Sequence, residues 1–199
     1  MPQAIRVIDS FSDLSGTASR SQLAAESLAR YQVATMLCRT QDGNAMQGGS
    51  LPPANEFSVA INGWGIGTMV LRGQEAKGNT KTSTLAFEFA LPVEYIADGN
   101  VRLVIHAQYA GDGEPGTKTI DAEVRELADD GTASGDLCVT AAQTVTGSWA
   151  DYIFTITDTN LTGGDRLMVL VRTVIQETGN SEEVHAEIGS IEFQLDVRG

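Results

Sequence analysis

The sequence predicts an all-β protein: an antiparallel β-sandwich or jelly roll with an irregular N-terminal arm and one short helix. Three observations predict it. Apolar residues alternate with polar ones over long runs, the period-2 signature of a half-buried strand. Leu85, Phe87, Phe89 and Leu91 do so in one run, and Val101, Leu103, Ile105, Ala107 and Tyr109 in the next. Gly- and Asp-rich turns separate such runs, as at Asp98-Gly99-Asn100, Gly111–Gly116 and Thr162–Asp165. Helical periodicity is almost absent, and no repeat of fixed period suggests a propeller or solenoid.

Taken in order, Met1–Thr17 is short and mixed, with Ile5, Val7 and Phe11 as its apolar points. Ser19–Gln32 carries capping serines and Leu23, Ala24, Leu28 and Tyr31 near helical spacing, so the short helix is placed there. Val33–Cys38 reads as a strand. Gln41–Asn55 combines Asp-Gly, Gly-Gly and Pro-Pro and reads as a loop. Glu56–Ile61 and Thr68–Arg72 are short strands flanking Asn62–Gly67, where Trp64 sits among glycines that suggest a bulge or tight bend. Gly73–Thr80 is a polar connection.

The regular part begins with Thr82–Leu91 and Val101–Ala110 as an opening strand pair. Thr117–Leu127 follows, with Ile120, Ala122 and Val124 on one side. Leu137–Val145 is a weak strand or irregular. Tyr152, Phe154 and Ile156 form the inward face of the next strand, and Leu167, Val169, Val171 and Ile175 that of Arg166–Ile175. In Val184–Arg198 the apolar set shifts phase between Ile188 and Ile191, which predicts a β-bulge at Gly189-Ser190. The organisation expected is a partly packed arm and attachment region over residues 1–80 and a sandwich body over 81–199.

The chain has 199 residues, 42% hydrophobic and 20% charged, with a formal net charge of −13. It is long enough to bury a core without staples. Its acidity repels phosphate backbones and anionic lipid, so neither nucleic acid nor membrane is expected as partner. Cys38 and Cys138 form no CxxC; they read as free buried thiols, with a disulfide left open. The N-terminus lacks a signal-peptide pattern, so synthesis in a cytoplasm is expected.

Candidate chemistry is sparse. His106 and His185 lie on outward phases, with no HxH or HExxH, and read as surface or interface residues. Asp129-Asp130 and Asp158–Asp165 hold fragments of calcium loops without the closing glutamate, so no metal is assigned. Glu182, Glu183 and Glu187 read as a solvated acidic edge. Trp149, at a strand start, reads as a plug for the end of the sandwich. Trp64, in its glycine loop, is the better candidate for a sugar platform of the two, but packing or a subunit contact is the favoured reading for it. Catalytic residues and cofactors are assigned as none, and the chain is read as a non-enzyme.

FALPVEYIADGNVRL, GDLCVTAAQTV, WADYIFTIT, LTGGDRLMVLVR and AEIGSIEFQLDVRG, taken in series, resemble β-sandwich virion proteins of tailed bacteriophages. Within that group the chain resembles capsid decoration, or cement, proteins. The resemblance implies a structural protein on the exterior of a phage head. It would form a homotrimer, bind the major capsid protein and stabilise capsomer junctions. Ile5, Val7, Phe11 and Trp64 are then the candidate partner contacts. The alternative is a tail-fibre or baseplate module that binds carbohydrate or a receptor.

Overall fold

The computed structural model describes residues 28–34, 37–48, 52–62, 68–177 and 182–198. Ile5, Val7, Phe11 and Trp64, with the whole of Met1–Thr17, lie outside the described residues. Ten strands are present among them: β1 (Leu28–Gln32), β2 (Ser58–Asn62), β3 (Thr68–Arg72), β4 (Thr80–Ala90), β5 (Val101–Gly111), β6 (Thr117–Leu127), β7 (Gln143–Thr144), β8 (Ala150–Ile156), β9 (Arg166–Gln176) and β10 (Val184–Asp196). They form two antiparallel sheets. One runs β2-β3-β10-β5-β8, with β1 also paired to β10; the other runs β4-β9-β6-β7. The antiparallel β-sandwich expected from the alternation is the fold.

β10 is the hub. β5 lines one side of it from Val184↔Gly111 to Leu195↔Val101. β3 and β1 share its other side, β3 at Glu187-Ile188 and β1 at Glu192–Asp196. The pairing with β5 slips between Ile188 and Ser190, which is the bulge expected at Gly189-Ser190. The slip lets both apolar sets of β10 face inward, so Val184, Ala186, Ile188, Ile191, Phe193 and Leu195 are all buried. Aromatic rings join the sheets. Phe89 stacks on Phe193 at 4.1 Å, Phe87 meets Phe193 edge-on at 6.4 Å, and Tyr31 meets Phe89 edge-on at 6.1 Å.

Several expectations are corrected. Thr82–Leu91 and Val101–Ala110 are strands but not a pair: β4 and β5 lie in opposite sheets. The segment between them turns at Asp98, whose φ is 60°, and crosses the end of the sandwich. Tyr95 anchors that crossing, its buried hydroxyl donating to Gly99 O at 2.6 Å. Burial and nearby Asp158, Asp98 and Asp196 push this phenol up to about 12. Alternation alone cannot distinguish a hairpin from such a crossover, because both bury one face.

The helix is corrected too. Leu28–Gln32 is β1, paired to β10 with Tyr31 facing the core; the remainder of Ser19–Gln32 lies outside the described residues. Of Val33–Cys38, the described residues 33, 34, 37 and 38 belong to no strand, and Leu37 N donates to Ala34 O at 2.8 Å. Of the expected arm and attachment region over residues 1–80, the described part supplies β1–β3, so strand pairing crosses that boundary. Cys38 and Cys138 are free thiols, Cys38 buried and Cys138 half-buried. Burial pushes Cys38 up to about 11 and raises Cys138 as well.

Loops close two sheet edges. Along β4, Arg39 and Ala86 exchange backbone hydrogen bonds of 2.7 and 2.8 Å, and Thr84 N donates to Asn55 O at 3.0 Å. Along β8, Val139 N donates to Thr155 O and Thr157 N to Leu137 O, while Gln143 Nε2 donates to Ile153 O.

Gly111 ends β5 at φ 125°, and a Cβ there would lie 1.9 Å from Glu183 O. Neither the backbone conformation nor the space admits a side chain. Gly111→Ala is expected to cost about 3 kcal/mol or more, read as a lowered urea midpoint. A change under about 0.5 kcal/mol would show that the β5–β10 end is loosely held.

Candidate functional site

The outer face of the six-stranded sheet carries the most unusual side chains. His106 (β5) projects outward between Ser190 (β10) and Asp151 (β8), its register partners on either side. Its Nδ1 lies 2.6 Å from Asp151 Oδ1. A carboxylate only accepts, so Nδ1 carries the proton and donates. The imidazole also stacks on Trp149, ring centroids 5.2 Å apart and planes within 7°. Trp149 is 37% exposed. It does not plug the end of the sandwich. The correction has a local cause: Gly189 presents no side chain, and a Cβ there would lie 3.1 Å from the indole. The bulge therefore clears room on the sheet surface for the ring.

The loop before β8 holds Trp149 in place. Tyr109 N donates to Thr146 O at 2.9 Å, and Thr146 N to Tyr152 Oη at 2.8 Å. Thr146 Oγ1 donates to Ser148 O at 2.8 Å. Tyr109 packs under Gly147, where a Cβ would meet its ring at 3.0 Å. Beside Trp149 on this surface, Ile153 is exposed and Val104 buried.

A second polar group adjoins the first. Gln108, two residues along β5 from His106, faces Glu187 on β10 and donates to its Oε2 at 2.8 Å. Glu187 Oε1 is 3.3 Å from His185 Nε2. His185 Nδ1 is 3.3 Å from Arg72 Nη2, which also donates to Glu75 at 2.6 Å. Since arginine only donates, His185 Nδ1 accepts and the ring proton sits on Nε2, toward Glu187. The two histidines thus hold opposite tautomers. Arg72 Nε is buried with no hydrogen-bond partner.

The acidic edge expected at Glu182, Glu183 and Glu187 divides. Glu182 and Glu183 are exposed, and Glu183 pairs with Lys77 at 3.4 Å. Glu187 is only 5% exposed, because β10 is interior to the sheet and not its edge. The calcium-loop fragments hold local structure: Asp165 accepts from Thr162 N, and Asp130 from Thr132 N. Among the described residues no group of three or more His, Cys, Asp or Glu side chains is placed to hold a metal.

Hydrogen bonds from His185 and Gln108, with Arg72 nearby, hold the Glu187 carboxyl below its ordinary value of 4.5 against the opposing effect of burial. A carboxyl depressed on folding contributes stability above its unfolded pKa and loses it as pH falls through the folded value. Glu187→Gln is therefore expected to destabilise at pH 7. Its deficit should shrink as pH drops below about 4.3. Urea titrations at pH 7 and pH 3 measure this, and an equal deficit at both would contradict it.

Of the sequence candidates, the structure brings together His106, Trp149, Glu187 and His185 on one face, with Gln108 among them. The signal present in the sequence was the phase shift at Gly189-Ser190, which marks where an aromatic could lie flat. Asp151 and Ser190 carried no signal of their own.

No protein-family model matches the chain, and no curated protein matches it. Solved structures do. The CBM22-1 xylan-binding domain of Paenibacillus barcinonensis Xyn10C is 12% identical, with 82% of this chain and 96% of that one covered at a TM-score of 0.42. The xylan-binding module CBM15 is 14% identical, with 86% and 99% covered at 0.41. The enzymatically active domain of bacteriophage CBA120 tailspike protein 4 is 12% identical, with 85% of this chain but 19% of that chain covered at 0.38. At these values the likenesses locate no site and name no ligand for this chain.

Proposed function

We propose that the chain is a carbohydrate-binding module that takes a glycan on the outer face of its six-stranded sheet. One observation carries the reading: the Trp149–His106 stack, part-exposed, seated on Gly189 and held by Asp151. Indole and pyranose are matched amphipaths. The ring offers a flat apolar surface, the sugar a face of C–H groups, and both keep polar edges for hydrogen bonds. Asp151 and Gln108 supply such bonds alongside. This is the receptor-binding alternative of the sequence reading with Trp149 as the platform in place of Trp64, and a place on a virion tail suits it.

Capsid cementing rests on the ordered resemblance and on residues outside those described. The test is a glycan array and isothermal titration with the full chain and Trp149→Ala. Sugar binding that the substitution removes supports the module. A blank array, together with a trimer that binds isolated phage heads, would favour cementing.

A further inference from the structure

Resting on that reading, we infer that the site selects neutral pyranosides, and that His106 Nε2 and Ser190 Oγ read a hydroxyl of the sugar stacked on Trp149. With Nδ1 engaged by Asp151, the other ring nitrogen of His106 is an acceptor in the neutral imidazole, and no described group partners it. The ring edge beside it points toward β10: His106 Cδ2 lies 3.5 Å from the Cβ position of Gly189. Ser190, directly across from His106, has a side-chain hydroxyl that no described group engages. No hydrogen bond joins the two. An acceptor and a hydroxyl thus occupy facing register positions beside the aromatic pair, the arrangement a sugar hydroxyl needs to donate to one and accept from the other.

Charge sets the class. Asp151 faces His106 from β8, and Glu187 and Glu192 on β10 face the positions two residues to either side of it on β5, Gln108 and Val104. The cations Arg72 and Arg30 on this face are paired with Glu75 and Glu192. Arg102 is exposed on the same face but lies four residues along β5 from His106, about 13 Å. That exceeds the Debye length of about 10 Å at 0.1 M salt. Among the described residues, a uronate or phosphorylated sugar on Trp149 therefore meets carboxylates without a nearby unpaired cation. Like-charge juxtaposition of this kind suppresses the wrong ligand.

The experiment is affinity electrophoresis and titration of the full chain against mixed-linkage β-glucan, galactan and mannan, with polygalacturonate as the charged probe. Binding to at least one neutral polymer, with polygalacturonate at least tenfold weaker in 0.1 M salt, is expected. His106→Phe keeps a stacked ring and removes both nitrogens. It and Ser190→Ala should each weaken neutral-polymer binding roughly three- to tenfold. Nitrogen-15 NMR of the imidazole should show the Nδ1–H tautomer, with Nε2 shifting on ligand addition. Equal or stronger binding of polygalacturonate would overturn the selectivity. Unchanged affinity in both variants with an unmoved Nε2 would overturn the contact assignment. Either result leaves the Trp149-dependent binding standing, and only loss of that dependence removes the module itself.

Discussion

Phe193→Ala is expected to lower stability by about 3–5 kcal/mol, the range for emptying a buried aromatic position. Phe193 is fully buried and sits where the sheets meet. It stacks on Phe89 and meets Phe87 edge-on, so one truncation removes two ring contacts between β4 and β10. Its register partners are Leu103 on β5 and Tyr31 on β1. Both are held in ladders with β10 and have little freedom to collapse into the space. Thermal unfolding should drop on the order of 10 °C for a domain of this size. A loss below about 1.5 kcal/mol would mean that the rings close over the gap and that the inter-sheet stack is not the centre of the core.

Trp149→Ala is the second large effect, and it falls on binding. Aromatic stacking on a flat ring contributes about 1–3 kcal/mol, on the scale measured for bases on aromatic side chains. The variant should therefore bind a neutral glycan roughly ten- to a hundredfold more weakly. Stability should change little, because the indole is 37% exposed and lies on the outside of the sheet. That separation makes the test clean: a folded protein with normal urea unfolding and lost binding. Retained affinity would move the site elsewhere. Unfolding would mean that the ring closes the Gly189 bulge as part of the core.

The strands were legible because each buries one face. The alternations in β6, β8, β9 and β10 match the buried sets, and Gly189-Ser190 marked the bulge. Sheet membership was not legible. Phe87 and Leu103 look alike in sequence yet belong to opposite layers, since alternation reports burial and not the partner strand. β1 was misread because Leu28 and Tyr31 also fit helical spacing, and the hydrogen bonds to β10 decide the outcome. The candidate site was mostly hidden. Trp149 beside a strand start suggested an end plug, and only the cross-strand neighbourhood of His106 and Gly189 turns it outward. Glu187 suggested solvent, and the pairing of β10 on both sides encloses it.

The loops along β4 and β8 have a consequence for crowding. A vacant strand edge invites a neighbour to extend the sheet, which is how native proteins begin to polymerise. Here Arg39, Asn55, Leu137 and Val139 occupy those positions from within the same chain. Copies strung in tandem or displayed densely on one particle would find those edge positions already taken. Whatever the chain is attached to, its own backbone insulates it from its neighbours there.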